Sequence, residues 1–205
     1  MRILLAGYAD TPLIPWLIER GHAVDNTQGP ITADHVAAYD WIVCYGLRHI
    51  VPPDLCAAKD GRMINLHAAF LPWNRGADPN LWSWIDDTPK GVSIHHVSAG
   101  LDRGDLIARV HVEMGDSETL RSSYAKLRNS MDDLFRAMWP TIAERPDALI
   151  ELRHLARMPQ PEGGSYHCLA DRARVERLLT DDHDTPVSAL RAQALQAQGQ
   201  KRHAG

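Results

Sequence analysis

Arg2-Ile3-Leu4-Leu5-Ala6-Gly7 and the segment that follows it, Pro12-Leu13-Ile14-Pro15-Trp16-Leu17-Ile18-Glu19-Arg20-Gly21, decide the fold. The first is a continuous apolar run closed by a glycine, the pattern of a parallel strand buried on both faces. The second reads as a helix, with proline near its start and glycine just past its end. Gly21-His22-Ala23-Val24 turns into a short strand, and Asp40-Trp41-Ile42-Val43-Cys44-Tyr45, closed by Gly46, is a second buried run. Arg62-Met63-Ile64-Asn65-Leu66 is a third. Strands alternating with helices predict an α/β protein: a Rossmann-like, open, mostly parallel sheet with helices on both faces. Ligands of such sheets sit at the carboxyl ends of the strands, where Asn65 and His67 fall. Gly7-Tyr8-Ala9-Asp10 is not a G-x-G-x-x-G, so this start does not imply a dinucleotide.

Further along, Val92, Ile94 and His96 occupy one face of a strand and Ser93, His95 and Val97 the other. A glycine-punctuated loop, Ala99-Gly100-Leu101-Asp102-Arg103-Gly104-Asp105, leads into a half-exposed strand in which Leu106, Ala108, Val110 and Val112 alternate with Arg109, His111 and Glu113. Apolar residues at Leu120, Tyr124, Leu127, Met131, Leu134, Phe135, Met138 and Ile142 predict an amphipathic helix over 117–143, ended by Pro146. Beyond 150 the pattern is mixed: a loop at Pro159, Pro161, Gly163 and Gly164, a short strand at 165–168, and a helix over 171–179. Residues 186–205 read as a polar surface helix fraying into a flexible tail. The expected organisation is a catalytic domain over 1–150, a small C-terminal appendage over 151–185 and the tail over 186–205.

Composition narrows the function. The 205 residues are 44% hydrophobic and 23% charged, ordinary for a globular protein. A net charge of −4 supplies no global field for nucleic acid or anionic membrane. No apolar run approaches the roughly 20 residues that span a bilayer, and the N-terminal run is too short, and too soon followed by Asp10, for a signal peptide. The three cysteines, Cys44, Cys56 and Cys168, are odd in number and widely spaced. They argue against a disulfide framework or zinc ribbon and for the reducing cytoplasm.

Asn65 and His67 flank Leu66, so a strand period of two aims both to one side, and Asp102 sits in the glycine loop. Each alone could be structural. The surrounding strings are more specific. Ile64-Asn65-Leu66-His67-Ala68-Ala69-Phe70-Leu71-Pro72-Trp73-Asn74-Arg75-Gly76 resembles the signature of the folate-dependent formyltransferases, the group of methionyl-tRNA and glycinamide ribonucleotide formyltransferases. Lys90-Gly91-Val92-Ser93-Ile94-His95 resembles the family's next strand, and Gly100-Leu101-Asp102-Arg103-Gly104-Asp105 its Leu-Asp-x-Gly loop. Cys44-Tyr45-Gly46-Leu47 is similar to the segment that lines the family's pterin pocket. The likeness covers about residues 40–115, in order and spacing.

The resemblance implies a catalytic set of Asn65, His67 and Asp102, with 10-formyltetrahydrofolate as formyl donor and no metal. It implies a pterin site at Tyr45, Gly46, Leu47, Arg48, His49 and Ile50, completed by Gly100 and Leu101. The chemistry agrees independently. Amine attack on a formyl carbon makes a tetrahedral species with negative oxygen and positive nitrogen. Asn65 can donate to that oxygen, and one such donor typically lowers the barrier by about 3 kcal/mol. His67 can take the amine proton, and Asp102 favours the resulting imidazolium. His95 and His96 are adjacent on a strand and face opposite ways, and neither is expected to touch the chemistry. His67, His95, Asp102 and Asp105 could also be read as metal ligands, but no H-x-x-E-H, H-E-x-x-H or paired-carboxylate motif accompanies them.

Two departures bear on the acceptor. Residues 25–39 leave little room for the family's extra strand and helix, so part of the folate-side scaffold is expected to be trimmed. About 60 residues follow the long helix, too few for the β-barrel with which tRNA-modifying members hold tRNA. Trp73-Asn74-Arg75-Gly76-Ala77-Asp78-Pro79-Asn80, with Asp87-Thr88-Pro89-Lys90-Gly91 and Gly163-Gly164-Ser165-Tyr166-His167, looks most like two branches acting on smaller acceptors. One formylates amino sugars linked to nucleotides, the other a carrier-bound amino acid. Trp73, Asn74, Arg75 and Asp78 are the expected acceptor contacts, the partner being a small-molecule or carrier-bound amine rather than membrane or nucleic acid. A homodimer stays open, as do a 10-formyltetrahydrofolate hydrolase and a non-catalytic folate-binding module.

Overall fold

The structure, a computed structural model, describes residues 1–144 and 157–203. It divides into two compact units that interleave along the chain. The first comprises Met1–His67, Ser93–Arg109 and Met131–Gln160; the second comprises Ala68–Val92, Val110–Ser130 and Pro161–Gly205. The boundary at 150 expected from sequence therefore does not coincide with a boundary between compact units.

In chain order the elements of the sheet are β1 (Arg2–Gly7), β2 (Ala23–Thr27), β3 (Trp41–Tyr45), β4 (Met63–His67), β6 (Gly91–His96) and β7 (Leu106–His111). Their spatial order is β2-β1-β3-β4-β6-β7. The first four are parallel, and β4 meets β6 antiparallel. This is the mostly parallel α/β sheet expected from the apolar runs.

In the first unit the side chains of β1 and β3 are buried on both faces. Leu4, Ala6, Ile42, Cys44 and Met63 pack with Ile31. Val36 and Tyr39 from α2 (Ala33–Ala38) and its C-cap, and Leu55 from α3 (Pro53–Ala58), cover that face. Alternate residues point the other way, where Trp41 meets Trp139 edge-on at 5.5 Å. Trp139 ends α5 (Leu120–Trp139), and Phe135, one turn earlier, meets Trp16 of α1 (Leu13–Glu19) at 6.0 Å. Leu13 and Leu17 of α1 are wholly buried. Full burial of a side chain of this size contributes roughly 1.5–3 kcal/mol, and the buried stretches Ile3–Ala6 of β1 and Trp41–Cys44 of β3 carry no polar side chain but the Cys44 thiol.

Two expectations change here. β2 is the short strand expected after Gly21, and within 25–39, where little room was expected, the six-residue α2 fits, capped by Thr32 through a reciprocal bond with His35. α5 ends at Trp139, and a π-turn carries the chain over Pro140–Glu144. Pro140 lacks the amide proton that an α-helix interior needs. The expected stop at Pro146 lies outside the described residues.

The second unit is built around α4 (Pro79–Ile85) and α6 (Val187–His203). Leu81, Trp82, Trp84 and Ile85 pack with Leu120, Val175, Leu178, Val187, Leu190 and Ala194. The start of α6 is thus core rather than surface: Val187 and Leu190 are 0% exposed. Its apolar residues are few but fall on one face. Where a helix was expected over 171–179 there are two 3₁₀ turns, Leu169–Arg174 and Glu176–Leu178. A parallel pair, β5 (Arg75–Gly76) and β8 (Tyr166–His167), joins the loop before α4 to the late strand. His167 stacks on Trp82 at 3.8 Å and bonds Asp86 at 2.8 Å.

Candidate active site

Asn65 and His67 occupy alternate positions at the carboxyl end of β4, and both project to one face. The antiparallel register sets Asn65 directly opposite His95 on β6. Residues opposite one another in such a pair share a face, so His95 is delivered to the same place. Asp102 reaches it from the loop between β6 and β7. Its backbone is left-handed, φ 51°, a conformation that aspartate tolerates better than most side chains.

These four side chains converge within the first unit. Asn65 Nδ2 donates to Asp102 Oδ1 at 3.0 Å and lies 3.2 Å from His95 Nε2. His95 Nε2 is 3.3 Å from the same carboxylate oxygen, and His67 Nδ1 is 3.7 Å from Asp102 Oδ2. All three ionisable groups are buried: His67 is 7%, His95 2% and Asp102 8% exposed. His95 Nδ1 lies 2.8 Å from the His96 carbonyl oxygen. A carbonyl only accepts, so Nδ1 carries a proton, and in the neutral ring Nε2 is the acceptor. It then takes the second amide hydrogen of Asn65. The amide orientation follows too, because the flipped form would set its oxygen against the carboxylate.

Neither strand histidine was expected to touch the chemistry; the structure sets His95 against Asn65 and Asp102. Sequence shows that His95 and His96 face opposite ways, but not which strand β6 pairs with. Only the Asn65–His95 register reveals the contact. His67 and His95 address different oxygens of Asp102, and Asp105 instead gives its carbonyl to the His96 amide at 2.9 Å. Among the described residues, no group of three or more His, Cys, Asp or Glu side chains could hold a metal ion.

Cys44 is the sheet partner of Asn65 on β3. Burial, then Cys56 and Asp102, pushes its thiol up to about 12, so it stays protonated and is no nucleophile.

The expected pterin segment follows β3. Tyr45 is buried; Gly46 has φ 72°, and a Cβ there would fall 2.3 Å from the ring of Tyr8. Leu47 packs on the Leu4 face of the sheet, while Arg48, His49 and Ile50 are exposed. Among the described residues, none hydrogen-bonds to the main chain of 47–50. Its amides and carbonyls are thus available to the donor–acceptor edge of a flat heterocycle, and the segment fits a pterin. Gly100 precedes Leu101, which is 43% exposed.

The expected acceptor contacts belong to the second unit. Asn74 is wholly buried: its Nδ2 donates to Thr88 Oγ1 at 2.7 Å and its Oδ1 accepts from Ser165 Oγ at 3.1 Å. Arg75 is buried and reaches the Gly163 carbonyl. Asp78 stands at the N-terminal boundary of α4 in a left-handed conformation, without a side-chain capping bond, and pairs with Arg172 at 3.6 Å. Trp73 keeps 36% of its surface exposed.

A family model described as formyl transferase matches residues 26–137, more than half of the chain. The chain belongs to the formyl transferase family. The matched residues contain Asn65, His67, His95 and Asp102. Among solved structures, the formyltransferase PseJ from Anoxybacillus kamchatkensis, in complex with UDP-4,6-dideoxy-4-formamido-L-AltNAc and tetrahydrofolate, is 40% identical. It superposes with a TM-score of 0.83, covering 93% of this chain and 97% of that one. The dTDP-4-amino-4,6-dideoxyglucose formyltransferase of Mycobacterium bovis is 31% identical over 154 residues, 75% of this chain and 61% of its own length. The methionyl-tRNA formyltransferase of Roseobacter denitrificans is 34% identical over 137 residues, 66% of this chain and 41% of its own. The chain therefore spans less than two thirds of the length of these two relatives. Among the described residues no helix is long and apolar enough to cross a membrane.

Proposed function

We propose that this chain is an N-formyltransferase that moves the formyl group of 10-formyltetrahydrofolate to the primary amine of a nucleotide-linked 4-amino-4,6-dideoxy sugar. The observation that carries the reading is the convergence of Asn65, His67 and Asp102 at the carboxyl end of the sheet. The sugar is taken from the product held by the relative at 40% identity. The free cysteines fit a cytoplasmic setting.

In the reaction, the bond between the formyl carbon and N10 of the folate breaks and an amide bond to the acceptor nitrogen forms. One proton leaves the amine and one reaches N10. His67 accepts the amine proton and returns it towards the leaving nitrogen. Asp102, 3.7 Å from His67 Nδ1, stabilises the imidazolium in between. Asn65 donates to the formyl oxygen as negative charge gathers there.

Both amide hydrogens of Asn65 are directed inward, to Asp102 and His95. A proton on His95 Nε2 would turn that acceptor into a donor towards Asp102 and release one Asn65 N–H for the oxygen. His95 thereby governs whether Asn65 is available. The main chain of 47–50 receives the pterin, and Trp73 offers its exposed face to the acceptor's base.

The test follows tetrahydrofolate release with UDP-4-amino-4,6-dideoxy-L-AltNAc, dTDP-4-amino-4,6-dideoxyglucose, a carrier-bound amino acid, or no amine. Release that requires an amino-sugar nucleotide is expected. Release without amine would make the chain a hydrolase, and binding of a folate analogue without release would make it a binding module.

A further inference from the structure

Gln160 lies 58 residues beyond Asp102, yet its side chain grips the Asp102 loop within the first unit. The segment that delivers it is anchored twice. Leu106 N donates to Met158 O at 2.7 Å and Met158 N to Leu106 O at 3.0 Å, and Arg157 bonds Asp60 at 2.8 Å. Gln160 Nε2 then donates to the carbonyl oxygen of Asp102 at 2.7 Å and to that of Gly104 at 2.9 Å. A flipped amide would press an oxygen against two carbonyl oxygens, so chemistry fixes the orientation.

The loop it holds has a conformation that needs holding. Asp102 is left-handed at φ 51°. Gly104 passes so close to β6 that a Cβ would stand 1.8 Å from the His96 carbonyl oxygen. Backbone of this kind persists only where its surroundings over-determine it. Its tip carries the carboxylate that faces Asn65, His95 and His67.

We propose that Gln160 is a positioning residue for formyl transfer, clamping the Asp102 backbone so that its carboxylate meets the amide and both imidazoles. The assignment rests on the catalytic reading of Asn65, His67 and Asp102. Displacing a reacting group by about 1 Å can cost on the order of 100-fold in rate.

Gln160→Met keeps the length and removes both donors. Gln160→Glu keeps the shape, faces the two carbonyls with a charge, and regains one O–H donor when protonated. The measurement is single-turnover transfer from 10-formyltetrahydrofolate to UDP-4-amino-4,6-dideoxy-L-AltNAc, per folded molecule. The side-chain amide NMR resonances of Asn65 in the folate-free protein are followed alongside.

Gln160→Met is expected to lower the rate about 10-fold or more with acceptor KM little changed, and to move the Asn65 resonances. The Gln160→Glu rate, as a fraction of native at each pH, should rise as pH falls. Adding Gln160→Met to Asp102→Asn should cost nothing further, since residues acting through one group fail together. Native rates and unmoved Asn65 resonances in both Gln160 variants, beside a slow Asp102→Asn, would remove the clamp alone. A native rate in Asp102→Asn would remove the catalytic reading and the clamp with it.

Discussion

Asn65 ends a sheet strand with its amide facing a carboxylate and an imidazole; Asn74, in the loop before β5, turns its amide to a threonine hydroxyl and accepts from a serine. Both belong to polar strings that read alike in sequence. Around Asn65 the partners, Asp102 and His95, are ionisable. Around the Asn74 amide the hydroxyls of Thr88 and Ser165 are neutral. A buried asparagine serves chemistry or structure according to whether its neighbours can change protonation, and a residue list does not show that.

The largest effect that would break this contrast lies in the first region. His67→Ala, Asn65→Ala and Asp102→Ala should each slow turnover by about 100-fold or more, without adding. His96→Ala should keep its turnover per folded molecule. Single-turnover rates and melting curves on the same variants decide the matter, and near-native turnover in His67→Ala would remove the base.

The second region should respond in the opposite currency. Asn74→Ala removes the donor to Thr88 Oγ1 and the acceptor of the Ser165 hydroxyl, and places alanine at φ 55°. It should cost about 1–3 kcal/mol of stability, read by denaturant unfolding, with turnover per folded molecule unchanged. A rate loss without a stability loss would return Asn74 to the acceptor site.

Trp73 sharpens the comparison from within the second region, because it alone of the string there keeps an exposed aromatic face. Trp73→Ala should raise acceptor KM about 10-fold with kcat and folate affinity unchanged, in line with base–aromatic stacking. Equal KM in the variant would remove it from the acceptor site.

The smallest effect concerns Glu144, remote from both asparagines in sequence. Arg20, helped by His22, holds its carboxyl down to about 2 from an ordinary 4.5. A folded pKa below the unfolded one gives stability that is full above pH 4.5 and lost as pH falls towards 2. Glu144→Gln should therefore melt earlier than native at pH 7, with the gap closing below about pH 4.5, and its kcat should not change. A gap independent of pH would assign the effect to packing.

The parallel part of the sheet was legible because strands buried on both faces must be apolar through their length, as β3 and the buried part of β1, Ile3–Ala6, are. Asn65, His67 and Asp102 were legible because their strings are specific. His95 was not: its role depends on β6 running against β4, and alternation within one strand says nothing about its neighbour. Gln160 was hidden for a related reason, since a lone amide in a proline-flanked loop has no local signature. The buried start of α6 was masked by the polar residues that outnumber Val187, Leu190 and Ala194.

The interleaving of the two units sets a timetable for synthesis. β1 to β4 leave the ribosome before β6 and can pair among themselves, with Asn65 and His67 at their open ends. Residues 68–92, which belong to the other unit, must emerge before β6 can close that edge with His95, and the Gln160 clamp arrives only after all of α5. Until β6 arrives the β4 edge is unpaired and the polar end of the sheet is exposed, the kind of surface on which nascent chains associate. The most chemically capable part of the molecule is thus the last part of its unit to be finished, and its half-built form is the one a chaperone would meet.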